Sequence, residues 1–180
     1  MKDLDKETFA PVKSEMYQLL LCAFCYDQKL KLLGERLPKE SRSFLLEEMT
    51  ALRHLSNGIV LHLCNLDDES SNWSLRNLRK TVAKLSGNQD SIAKSNELLK
   101  KYRTALNQLK TKHRNQFIAH RNLVEYPNQF ELPEYRKDFH HLIQLALSTL
   151  ECLWGANIAF EFHLGSRDPR IDFKVELGLA

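Results

Sequence analysis

The sequence predicts an all-α fold, an antiparallel bundle of four or five main helices. Apolar residues recur at three- and four-residue steps through most of the chain, residues that cap or break helices stand at the ends of those runs, and two-residue alternation is weak and confined to the tail. With 180 residues and 43% hydrophobic content, a single domain spanning 1–180 has enough apolar material for its core.

Leu19, Leu20, Cys22, Ala23, Tyr26, Leu30 and Leu33 fall on one side of a first helix, which Gly34 and Pro38 are expected to close. Ser41 or Ser43 can cap a second helix, striped by Phe44, Leu45, Met49, Leu52, Leu55, Ile59 and Leu63, with Glu47 and Glu48 near its positive end. The polar stretch from Asp67 to Asn72 reads as a solvated connection. Ser74 can then cap a shorter helix carrying Leu75, Leu78, Val82 and Leu85, interrupted by Gly87 and Asn88.

From about Ser91 to Val124 the chain has no glycine or proline. Leu99, Tyr102, Leu106, Leu109, His113, Gln116 and His120 alternate strictly between three- and four-residue steps, so a seam that starts apolar turns polar toward its end. Pro127 and Pro133 break this pattern. A final helix is expected over 134–160, striped by Phe139, Leu142, Leu145, Ala146, Thr149, Leu153, Ala156 and Phe160, with Gly155 as its weak point. Beyond about 165, Ile171, Phe173, Val175 and Leu177 alternate weakly and suggest an extended arm or a short strand.

The balance of 26 Lys plus Arg against 23 Asp plus Glu makes the molecule as a whole no polycation. The charged opening from Met1 to Lys13 resembles no export signal, and no apolar run approaches the roughly 20 residues of a membrane span. A cytoplasmic location with no membrane partner is therefore expected. The four cysteines read as small hydrophobes of a reduced core, Cys22 and Cys25 included. Asp67, Asp68, Glu69, Asp138, His140 and His141 form no ligand signature and read as solvated turn or helix surface, so neither a metal site nor a cofactor is expected.

Charge clusters locally. Between Lys100 and Val124 stand Lys100, Lys101, Arg103, Lys110, Lys112, Arg114 and Arg121, with no Asp or Glu. On a straight helix Arg114 and His120 lie about 9 Å apart along the axis and about 120° apart around it. That places them on two edges of a phosphate-sized groove rather than on one atom, and a second copy of the helix across a two-fold axis would complete such a groove. His113 shares the face of His120. The bare pattern leaves each residue a second reading: His120 as a structural histidine, Arg114 as a solvated or ion-paired arginine, Asn115 and Asn122 as local hydrogen-bonders. A general nucleic-acid-binding module would call for aromatic platforms among the cations, whereas Tyr102 and Phe117 fit the apolar side.

The segment Arg114-Asn115-Gln116-Phe117-Ile118-Ala119-His120 resembles the Arg-x4-6-His motif of HEPN domains. The run from Gly58 to Asp67, followed by Trp73-Ser74-Leu75-Arg76-Asn77-Leu78, is similar to the AbiU2-like branch of that family, associated with phage abortive infection and toxin–antitoxin systems. The resemblance spans roughly Met16 to Phe160 and implies a HEPN-like bundle that forms a homodimer around one cleft and cleaves RNA without a metal. In that reading Arg114 orients the phosphate and stabilises its developing charge, His120 exchanges protons during attack by the neighbouring 2′-hydroxyl, and Asn115 fills the motif's polar position. The products would be a 2′,3′-cyclic phosphate and a 5′-hydroxyl. Lys110, Arg121 and His113 are the expected RNA contacts. A cognate antitoxin or regulatory protein is the implied partner, although the tyrosine that some relatives carry two positions after the histidine is Asn122 here. Other members keep the fold without nuclease activity, and for them a non-catalytic protein-interaction or regulatory role is the alternative.

Overall fold

The computed structural model describes residues 6–36, 39–85, 89–111, 132–163, 165 and 170–179. The described chain is an all-helical bundle closed by one short hairpin. Helix α1 runs Lys6–Arg36, earlier than the expected start, because Phe9, Val12 and Met16 continue the stripe of Leu19, Ala23 and Tyr26 at helical steps and are buried with it. Pro11 lies within its second turn, where little of the helix precedes it. Gly34 lies inside the helix rather than closing it.

Helix α2 spans Arg42–Asp67 and starts at Ser41, whose hydroxyl accepts from the Phe44 amide at 3.2 Å. Its stripe of Leu52, Ile59, Val60, Leu63 and Leu66 packs mainly against α1. Lys29 meets Glu48 at 2.7 Å while Glu15 meets His62 at 2.9 Å, so the two helices run antiparallel. They also approach closely: a Cβ built on Gly58 would lie 3.4 Å from Cys22 Sγ. Helix α3, Leu75–Leu85, begins where the Asn77 amide donates to the Ser74 hydroxyl at 3.2 Å, and it buries Leu75, Leu78 and Val82.

Helix α4, Gln89–Leu109, buries Leu99, Tyr102, Leu106 and Leu109, the apolar half of the expected seam. These residues belong to the chain's own core, where α4 packs chiefly against α5. Within the described residues, that half of the seam is therefore already covered and leaves no apolar stripe for a second copy of α4. The chain then passes into a π-helical turn at Lys110 and Thr111. A second π-helical turn, Tyr135–Phe139, leads into α5, His140–Trp154. The Ser91 hydroxyl reaches the Cys152 carbonyl at 2.7 Å, whereas the other end of α4 lies beside Asp138 and His141, so α4 and α5 are antiparallel.

The expected helix over 134–160 is thus shorter. Gly155 adopts φ 80° and its amide caps Glu151, a left-handed end after which Ala156 and Phe160 leave the helix. Phe160 is nonetheless buried. Beyond it, β1 (Glu161–Phe162) pairs antiparallel with β2 (Ile171–Asp172), and a short helix α6, Phe173–Glu176, follows, capped by the Asp172 carboxylate. The tail is therefore part of the core. Phe173 is buried with ring centroids 5.5 Å from both Tyr17 and Phe24 of α1. Lys174, 6% exposed, donates to Glu151 at 2.6 Å and also to Asn157.

All four cysteines are free. Burial first, and the neighbouring Cys25 second, push the Cys22 thiol above its ordinary value, which disfavours a reactive thiolate. Among the described residues no helix is long and apolar enough to cross a membrane.

Candidate nucleic-acid interface

The motif residues His113, Arg114, Asn115, His120 and Arg121 lie outside the described residues. Of the expected site, the structure places Lys110 and the α4 cations that lead up to it.

Two polar clusters stand where α2 ends and α4 gives way to the π-helical turn. In the first, Glu15 of α1 is 8% exposed, and one of its oxygens faces His62 Nδ1 and accepts from Asn65 Nδ2, each at 2.9 Å. In the second, Asp67 carries the ammonium of Lys110 on one oxygen, with the Arg103 guanidinium 3.3 Å from the other. That contact with Arg103 is at ion-pair distance but lacks hydrogen-bond geometry, so Asp67 Oδ1 has no hydrogen-bond partner among the described atoms. Tyr102 sits beside both clusters, fully buried, and donates its hydroxyl to the Leu63 carbonyl at 2.5 Å. Burial, and then the negative fields of Asp67, Cys64 and Glu15, push its phenol well above the usual range and keep it a donor.

Asp67 corrects the reading of 67–72 as solvated connection. It is the last residue of α2 and only 4% exposed. A carboxylate this buried needs cations and hydrogen bonds to offset its desolvation. Arg103 on α4 and Lys110 just beyond it, seven positions or about two helical turns apart, supply the cations. Asp68 and Glu69 remain exposed, as expected. Asp138 accepts from the Glu134 amide at 2.7 Å, and His140 Nε2 lies 3.1 Å from the Gly178 carbonyl, so both have structural partners.

Tyr102 and Leu106 turn into the core while Lys100, Lys101, Arg103, Thr104, Asn107 and Gln108 face outward. Between α4 and the start of α5 lies a groove of about 810 Å³ with Ala105, Leu109 and Leu142 on its floor and mixed charge on its walls: Lys100, Lys101 and Lys137 against Glu97 and Asp138. The helical repeat thus separates an apolar face that folds the chain from a cationic face that does not. Arg103 and Lys110 are half and about three-quarters shielded, at 49% and 27% exposure, and both point toward Asp67.

Comparison with protein-family models, with curated proteins and with solved structures finds no match for this chain.

Proposed function

We propose that the chain is a metal-independent endoribonuclease that cleaves RNA by 2′-hydroxyl attack, acting as a homodimer and as a toxin in phage defence under the control of a cognate antitoxin. The observation that carries this reading is the Arg114-to-His120 spacing at the end of a stretch with seven cations and no carboxylate between Lys100 and Val124. Guanidinium offers a fixed fork of donors for phosphate oxygens. Imidazole can take a proton from the 2′-hydroxyl and return one to the departing 5′-oxygen. The reaction forms the 2′-oxygen to phosphorus bond and breaks the bond from phosphorus to the 5′-oxygen. The outward cationic face of α4 is consistent with a phosphate-bearing substrate.

The α4–α5 groove favours the second reading, a non-catalytic protein-interaction or regulatory domain. Its apolar floor between charged walls has the anatomy of a peptide-binding groove.

One assay separates the two. Purified chain is incubated with a panel of RNAs in EDTA and the product ends are identified chemically. Cyclic-phosphate and 5′-hydroxyl ends that disappear in the Arg114→Ala/His120→Ala variant support the nuclease. Full cleavage by that variant, correctly folded, removes catalysis from this motif. No cleavage by the parent on any RNA favours the interaction domain.

A further inference from the structure

Helices α3 and α4 enclose a second groove, of about 390 Å³, whose chemistry differs from that of the α4–α5 groove. Arg76, Arg79 and Lys80 enter it from α3, at positions i, i+3 and i+4 of one helix face. Lys100 and Arg103 enter from α4, three positions apart on the face opposite. Among the described residues that line it there is no carboxylate and no aromatic ring.

Five cations in one concavity repel each other unless anions stand nearby. Two carboxylates outside the groove do part of this. Glu69 pairs with Arg76 and lies 4.0 Å from Lys80, and Asp67 lies 3.3 Å from Arg103 while also carrying Lys110. Neither Arg79 nor Lys100 has an acidic partner among the described residues. The groove thus keeps an uncompensated positive charge, and Lys100 is exposed to whatever approaches it.

We propose that this groove docks the phosphodiester backbone of a double-helical RNA. Two cationic rows on facing helices suit an anion repeated along a line, which a free phosphate is not. Among the described lining residues no aromatic ring offers a platform for unpaired bases, so the groove suits backbone and shape better than a splayed single strand. Asn96, Thr104 and Asn107 line the groove as neutral hydrogen-bonding groups, suited to sugar hydroxyls between phosphates. The choice of RNA over other polyanions rests on the endoribonuclease reading; the cationic groove itself does not. The lining named here comes from α3 and α4 and includes no residue of the motif.

The test is fluorescence anisotropy with a labelled RNA hairpin, comparing the parent with Arg79→Gln/Lys100→Gln and Arg79→Glu/Lys100→Glu. Circular dichroism melts confirm that each is folded. The groove predicts about tenfold weaker binding for the neutral pair and a larger loss for the reversed pair. It also predicts a salt dependence shallower by about two phosphate contacts. Folded groove variants that bind the hairpin as the parent does overturn the groove assignment and leave the nuclease reading standing. A parent that binds no RNA overturns both. An unstructured single strand bound as tightly as the hairpin overturns the double-helical choice, and a polyglutamate peptide that displaces the hairpin at lower concentration overturns the choice of RNA.

Discussion

Asp67, the last residue of α2, holds the ammonium of Lys110, the first residue beyond α4, and so ties the ends of two helices together at the point where the motif-bearing segment begins. The carboxylate is buried and the ammonium is not fully so. Removing the cation therefore costs more than its exposure suggests, because Asp67 is left in low dielectric with Arg103 as its remaining cation among the described residues. Lys110→Ala should lower stability by about 2 kcal/mol, and Arg103→Ala, at a half-exposed contact, by about 0.5 kcal/mol. Urea unfolding of both variants checks the order, and equal effects would mean that Asp67 is satisfied some other way.

Alkaline pH should act through three phenols. Burial is the leading cause that raises the Tyr26, Tyr102 and Tyr135 hydroxyls, with Asp138, Asp67 and Asp27 respectively next. A raised folded-state value means that the folded chain keeps protons the unfolded chain has already released. The stabilisation is whole below the ordinary phenol value of 10.0 and drains as pH climbs past it toward the folded values. Phenolate absorbance should therefore show these tyrosines titrating together with loss of helicity. Free titration of all five tyrosines in a still-folded chain would contradict the burial.

Gly155→Ala should destabilise the chain by about 1 kcal/mol, since the left-handed φ of 80° brings a Cβ against the following carbonyl. A lowered melting temperature with unchanged helix content is the expected result.

Arg114→Ala and His120→Ala should each slow RNA cleavage by roughly 100-fold or more, the usual range for loss of a positioned proton carrier or a charge-stabilising donor. His113→Ala should do less. The comparison counts only between variants with parental helicity, and equal falls for all three of those would contradict the distinct roles given to Arg114 and His120.

Phe173→Ala removes a buried ring that touches Tyr17 and Phe24, and should cost about 3–4 kcal/mol. A tail that only hung from the bundle would tolerate the change, so the unfolding midpoint distinguishes the two.

Much of the fold is legible in the sequence because periodicity and capping are local. Ser41 and Ser74 open α2 and α3 as their positions before apolar stripes suggest, and Leu99, Tyr102, Leu106 and Leu109 are buried as their steps require. The misreadings have a common physical form. Asp67 is charged and stands in a polar stretch, which assigns it to solvent, yet it is buried by partners distant in sequence. Phe173 looks like one member of a weak alternation until α1 supplies its contacts. Of the expected site only Lys110 falls within the described residues. The cations of α3 carried no signal of their own, because Arg76, Arg79 and Lys80 face Lys100 and Arg103 only after the chain has folded between them.

The docking of α6 on α1 also sets an order for biosynthesis. Tyr17 and Phe24 leave the ribosome long before Phe173 is made, so until then this aromatic patch of α1 lacks the cover that Phe173 gives it. Helical hairpins such as α1 with α2 can form as they emerge, since domains begin to fold during synthesis. The last cover cannot. The nascent chain therefore carries an exposed apolar site on α1 until Phe173 has left the ribosome.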